Sequence, residues 1–289
     1  MNGPKILPAE DAGAKIPLYD QDARFSRMAR LVGSSGVQRL ATANVMVIGL
    51  GGVGSWAAEA LARSGVGHLT IVDFDLVCIR NFNRQLGAVE GQLGKPKALA
   101  MADRLRLINP QAEINPIVNF ASPDTIPALL AQGKPELVID AIDHVTSKCF
   151  LIHYCWSQHL PIIVATGSAG RLDPTQVRIG DLAETQQDPL AKVVRRVLRQ
   201  KYNFPRQGKF NIPAVYALGK SLEPVGEEPP CSFAGCPQAV HALQSCTQQR
   251  TVRGSASFVT GAFGLACAAL AVQHLLGRND LGTMEQAKS

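Results

Sequence analysis

A glycine-rich turn set between an apolar strand and a helix constrains this chain more than any other feature. The stretch "VMVIGLGGVGSWAAEALARSGVGHLTIVDFD", residues 45–75, runs four apolar residues into Gly49, Gly51, Gly52 and Gly54. A helical run and the strand-like "LTIVD" follow. Such a turn brings backbone N–H groups to a phosphate at a helix N-terminus, and its setting is an α/β fold. Asp73 closes the second strand nineteen residues after Gly54. A carboxylate there accepts hydrogen bonds from ribose hydroxyls, which suits NAD and ATP equally.

The remaining pattern sets the architecture. "ELVIDAID" and "PIIVATG" read as further buried strands, and "KPKALAMADRLRLINP" as an amphipathic helix ending before Pro110. Strand–helix alternation at this spacing predicts an α/β fold with a Rossmann-like, doubly wound, mostly parallel sheet. Upstream, "RFSRMARLVGSSGVQRLATA" reads as one or two short helices that carry Arg24, Arg27 and Arg30 near one face. Downstream, "QVRIGDL" reads as a strand and "DPLAKVVRRVLRQKY" as a helix, while 203–250 reads as loops. The C-terminal extension therefore contains a basic helix and an apolar one.

Composition bounds the setting. Hydrophobic residues make up 46% and charged ones 18%, a globular balance, and the net charge of +6 is compatible with an anionic partner. Acidic and basic residues in the first twenty positions argue against a secretory signal. Seven scattered cysteines, without a Cys-x-x-Cys pair, point to a reducing cytosol and leave the roles of Cys231, Cys236 and Cys246 open. Residues 254–277 carry no charge and are long enough to span a bilayer. Frequent small residues and His274 favour a buried helix there, with membrane association as the alternative. Trp56 and Trp156 are expected in the core, and the histidines show no metal-ligand spacing.

What separates ATP from NAD is the segment "DFDLVCIRNFNRQLGAVEGQLGKPKALA". It crowds Asp73, Asp75, Asn81, Asn83, Arg84, Gln85, Lys95 and Lys97 just beyond a strand end. Hydride transfer needs no such density of cations. Adenylation does: the α-phosphate becomes pentacoordinate and pyrophosphate leaves, so developing negative charge must be matched by Arg, Lys and Mg²⁺.

The order Arg27, "GLGGVG", "DFD", "NFNRQ", "GKPKA", "INP" and "DAID" resembles the adenylating domain of the ubiquitin-activating-enzyme superfamily, including the molybdopterin and thiamine pathway adenylyltransferases. That resemblance implies ATP and Mg²⁺ at the strand ends, with a monovalent cation as a further option. It implies the ribose on Asp73, the phosphates on Arg84 and Lys97, and the metal on Asp143. Gly49, Gly51, Gly52, Gly54, Asp75, Asn81, Asn83, Gln85 and Lys95 would complete the ATP site. Arg27, with Arg24 or Arg30 as the alternative, would act in the neighbouring subunit's site, which implies a homodimer.

The downstream pattern Asp173-Pro174-Thr175, Asp181-Leu182, Thr185 and Asp188-Pro189-Leu190 resembles the tRNA threonylcarbamoyladenosine dehydratases. Those enzymes close a modified adenosine into a cyclic form. From Pro189 to Leu222 there are eight Lys/Arg and no Asp or Glu, which points to tRNA phosphates on Lys192, Arg195, Arg196 and Arg199. The expected division is a flexible tail over 1–22, an ATP-binding adenylation domain over 23–171, and a substrate-facing, tRNA-facing and dimerising extension over 172–289. The competing reading is activation of a ubiquitin-like sulfur carrier, with a sulfur-transfer protein partner. It is weakened because no cysteine lies between Cys155 and Cys231 to relay a thioester. An NAD-linked oxidoreductase is weakened because no downstream His/Tyr–Lys acid–base pair is evident.

Overall fold

β1 (Asn44–Ile48) lies at the middle of the sheet, and every residue from Val45 to Ile48 is buried. In β2 (His68–Val72), β4 (Leu137–Asp140) and β5 (Ile162–Ala165) every residue but His68 is buried, as in strands covered on both faces. The computed structural model describes residues 21–226 and 253–278. The tail expected over the first twenty residues, and Cys231, Cys236 and Cys246, lie outside the described residues.

The sheet has seven strands in the order β3-β2-β1-β4-β5-β7-β6. β3 (Glu113–Ile117) pairs parallel with β2 at one edge. At the other side β7 (Pro213–Ala217) pairs parallel with β5 and antiparallel with β6 (Val177–Asp181). The expected doubly wound, mostly parallel sheet is thus present, and residues beyond 172 extend that same sheet. β3 and β7 were not expected from the sequence. β3 carries Pro116, which an edge strand tolerates, and β7 is a five-residue run in a stretch that reads as loop.

Helices cover both faces. At the N-terminal side are α1 (Gln21–Arg24) and α2 (Ser26–Ala41), the latter kinked at Gly33. α3 (Gly54–Arg63) and α4 (Lys97–Ile108) follow the first two strands. α5 (Ile126–Gly133), α6 (Val145–Ser157) and α7 (Pro189–Lys201) complete the alternation. The apolar helix α8 (Ser257–Leu275) is long and apolar enough to cross a membrane, yet most of it is buried against the protein. Its partner is α3. Gly264 permits the approach, since a Cβ there would lie 2.6 Å from Trp56 Cβ and 2.9 Å from Ala57 N. Trp56 is accordingly only half-buried, at the α3–α8 seam. Trp156, expected in the core, is 41% exposed and packs one face on Phe204.

Candidate active site

Order reverses between β1 and β4, and in open α/β sheets ligands bind beyond the strand ends at such a switch point. A cleft of about 1330 Å³ opens there. It runs from the turn after β2 to the turns after β5 and β7, and exceeds the ~300–1,000 Å³ usual for one small ligand. The space suits two reactants.

The glycine loop after β1 forms its floor. Gly49 has φ +90°, and a Cβ there would sit 2.7 Å from the Ala141 carbonyl. A Cβ on Gly54 would overlap the Gly49 carbonyl, so the chain turns directly into α3. α3 carries no side-chain cap and no acidic residue in its first turn, which leaves a helix N-terminus suited to an anion. α8 braces the loop from outside, with Thr260 Cβ 3.1 Å from the position of a Gly52 Cβ.

Asp73 sits behind this loop. Its Oδ2 accepts from Leu50 N at 2.6 Å and its Oδ1 from Asp75 N at 2.8 Å. Burial pushes the Asp73 carboxyl above its usual range, against the pull of the Lys97 charge. Lys97 Nζ donates to Asp75 Oδ2 at 2.7 Å, and the two side chains are 8% and 25% exposed. Burial alone would lower the Lys97 pKa; the Asp73 and Asp75 carboxylates outweigh it and hold the ammonium above its ordinary value. A desolvated, permanently charged ammonium facing a cleft is what a phosphate needs.

Asn81, Asn83, Arg84 and Gln85 all line the same cleft. Arg84 Nη1 donates to Arg80 O and Asn83 Oδ1, while Asn83 Nδ2 donates 2.8 Å to Ser255 O. Trp56 Nε1 donates 3.1 Å to Arg84 O, which anchors this segment on α3. Asp143 lines the cleft on the turn after β4 and is exposed to it.

Other expected residues stand elsewhere. Lys95 is outside the cleft, in an ion pair with Asp103 of α4. Arg27 is exposed on α2 and lines no part of this chain's own cleft. On α7, Lys192 and Arg196 are exposed. Arg195 is instead bound to Thr185 Oγ1, and Arg199 donates to Pro205 O with its guanidinium 5.2 Å from the Phe210 ring centroid. The basic stripe is therefore half structural.

Three features went unread in the sequence. The first is a sealed ion pair, Lys148 Nζ to Asp140 Oδ2 at 2.6 Å, with both side chains 0% exposed. Asp140 Oδ1 accepts from Ile142 N at 3.0 Å and so fixes the turn that carries Asp143. The second is an aromatic wall: Phe74, Phe120 and His144 line the cleft with ring centroids 4.8 and 5.8 Å apart in sequence. The third is a pair of arginines, Arg171 and Arg253, at the β5–β7 end. A second acidic residue in "DAID" was the only visible hint of the first.

A glycine loop on a strand end, a buried carboxylate behind it and a desolvated lysine beside it define a nucleotide-binding site on a Rossmann-like sheet. The chain belongs to the ThiF family, which it matches over residues 25–288. It is 41% identical to the tRNA threonylcarbamoyladenosine dehydratase of Haemophilus influenzae, over 91% of this chain and 96% of that one. The namesake enzyme of Escherichia coli is 36% identical, over 88% and 94%. The solved Escherichia coli tRNA N6-threonylcarbamoyladenosine dehydratase in complex with ATP superposes with a TM-score of 0.77 at 35% identity, covering 91% of this chain and 98% of that one. A molybdopterin-synthase adenylyltransferase of Salmonella typhimurium is 36% identical over only 54% of this chain.

Proposed function

We propose that this chain is an ATP-dependent tRNA threonylcarbamoyladenosine dehydratase. The observation that carries the reading is the Asp73–Asp75–Lys97 cluster against the glycine loop, in a chain that matches the dehydratases over about nine-tenths of its length. ATP is a co-substrate. A carboxylate oxygen of the threonylcarbamoyl group attacks the α-phosphorus, pyrophosphate leaves, and an acyl-adenylate forms. The adjacent carbamoyl group then closes on the activated carbonyl and loses a proton. AMP departs with the former carboxylate oxygen, so the nucleoside loses one water. Ring closure is intramolecular, and proximity supplies much of that step. No enzyme thiol is needed.

The lining of the cleft supports the following roles. Asp73 holds the ribose, the loop from Gly49 to Gly54 and the α3 N-terminus take the phosphates, and Lys97 with Arg84 balances charge as pyrophosphate departs. Among the described residues no group of three or more His, Cys, Asp or Glu is placed to cage a metal. Mg²⁺ needs only one or two carboxylates when phosphate oxygens and water complete its shell, and Asp143 fits that demand. When bound, Mg²⁺ would neutralise phosphate charge. Because Arg27 stands away from its own cleft, it would serve a second subunit in a homodimer. Lys192 and Arg196, exposed on α7, would meet tRNA phosphates. The protein would work in the cytoplasm, with α8 packed on α3 rather than in a bilayer. The described residues offer no argument for a monovalent cation or a sulfur-transfer partner, and neither belongs to the proposal.

The test is mass spectrometry of nucleosides from threonylcarbamoyl-modified tRNA after incubation with the protein, Mg²⁺ and ATP. The expected result is ATP-dependent loss of one water from that nucleoside. Unchanged nucleoside, with protein that binds ATP, would overturn the reading in favour of a carrier-protein substrate.

A further inference from the structure

The cleft has two ends of different character. At the β2 end the Lys97 ammonium is matched by the carboxylates of Asp73 and Asp75. The β5 end lies three strand spacings away, roughly 14 Å at about 4.8 Å each. There the lining includes Arg171 and Arg253, and among the described residues neither joins an ion pair. Asp188 is the neighbouring carboxylate. Its oxygens are already taken by Thr166 Oγ1 at 2.7 Å, Gly167 N at 3.0 Å and Ala191 N at 2.9 Å.

Arg171 is buried, and its guanidinium is spent on backbone carbonyls: Leu218 O at 2.6 Å, Gly219 O at 2.8 Å and Gln187 O at 3.2 Å. It gathers three turns into one wall and leaves its charge beneath that wall. Burial, together with the Arg253 charge, holds Arg171 below its usual pKa despite Asp188, so the two cations feel each other. Arg253 is exposed, with one bond from Nη1 to Ser221 Oγ at 2.6 Å. Its position is fixed by its neighbours. Gly170 N donates to Gly254 O at 2.7 Å, Leu222 N donates to Gly170 O at 2.7 Å, and Ser255 O accepts from Asn83. A Cβ on Gly170 would overlap Ser221 Oγ, which shows how tightly these segments are laced.

Among the described residues, these two cations at the far end of the cleft, one locked and one presented, have no ion-pair partner. Resting on the dehydratase reading, we propose that Arg253, backed by Arg171 and steered by Ser221, binds the carboxylate of the tRNA-borne threonylcarbamoyl group before adenylation. Arg253 is then a specificity-determining residue. It separates modified from unmodified tRNA by the one charge that the modification adds, and it offsets repulsion between that carboxylate and the phosphates of ATP. Arg171 is a positioning residue.

The experiment compares full-length wild type with Arg253→Gln and Arg253→Lys. It measures affinity, without ATP, for one tRNA with and without threonylcarbamoylation, and affinity for ATP separately. Wild type should prefer the modified tRNA. Arg253→Gln should lose that affinity roughly tenfold to a hundredfold, the usual weight of a hydrogen bond to a charged group. Its affinities for unmodified tRNA and for ATP should not change, which also reports on folding. Arg253→Lys should retain part of the preference, since it keeps the charge and loses the fork. Equal losses on both tRNAs would show that Arg253 meets a backbone phosphate, and would overturn the proposal. So would an undiminished preference in Arg253→Gln, or no preference in wild type. Failure of wild type to dehydrate modified tRNA with ATP would instead strike the dehydratase reading itself.

Discussion

Two lysine–carboxylate pairs stand at strand ends of the same sheet and differ in one respect. Lys148 and Asp140 are sealed on every side, whereas Lys97 and Asp75 keep a face open to the cleft. Around the sealed pair the surroundings are dry: burial pushes the thiols of Cys149, Cys155 and Cys267 up to about 12. Attraction in such a place is largely offset by desolvation, so the pair does little for stability relative to apolar residues and much for shape. The open pair can exchange or share its carboxylate for a phosphate. One pair sets a turn; the other is left open to the cleft.

Breaking the sealed pair should have the largest effect. Lys148→Met strands Asp140 in an apolar site and should cost about 3–5 kcal/mol of stability, read from urea unfolding. Asp140→Asn combined with Lys148→Met should recover most of that loss. No buried charge remains in that double variant, and the amide oxygen of the new side chain can still accept from Ile142 N. A double variant as unstable as the single one would refute the sealed-pair account.

Lys97→Ala should act on rate instead. Loss of one preorganised charge in such a site lowers turnover by roughly 10²–10³-fold, measured as the rate of water loss from the modified nucleoside. Its unfolding midpoint should move less than that of Lys148→Met, and the reverse order would invert the comparison. Thiol chemistry sharpens it further. In the native protein at pH ~8, iodoacetamide should leave Cys149, Cys155 and Cys267 unlabelled, and Lys148→Met should open Cys149 first. Peptide mapping reads the outcome directly.

The smallest effect concerns a third carboxylate. Burial pushes Glu59 up, but hydrogen bonds from Arg104 and Arg63 outweigh it and hold its pKa below the usual 4.5. A depressed carboxylate contributes stability that is present above that value and lost as pH falls through the lowered one. Glu59→Gln should therefore be less stable than wild type at about pH 6, and the gap should close towards about pH 3. A gap that widens on acidification would contradict the assignment.

What the sequence discloses tracks how each group is buried. β1, β2, β4 and β5 are legible because strands covered on both faces must be continuous apolar runs. β3 and β7 escape because an edge strand tolerates Glu113 and Pro116, and "PAVYA" is too short to stand out from its proline- and glycine-rich surroundings. In the cleft, the residues from Asp73 to Gln85 are legible because they are close in sequence. Arg171, Arg253 and Lys148 are not, since a lone cation in a sequence reads as a solvated one. Their placement depends on partners far along the chain, as with Arg171 and the carbonyls 47 and 48 residues later. Lys95 shows the converse: its spacing fits a phosphate contact, and the fold gives it Asp103 of α4 instead.

The contact of Thr260 with the glycine loop has a consequence in time. The loop leaves the ribosome early, whereas Thr260 of its brace on α8 follows about 200 residues later. At about 5–20 residues per second, the two are separated by an interval on the order of 10–45 s. During it the apolar groove on α3 that α8 will fill stands open to any passing hydrophobic surface. Nascent chains therefore carry an unfinished nucleotide pocket and a sticky flank together, and both vanish in one late docking event.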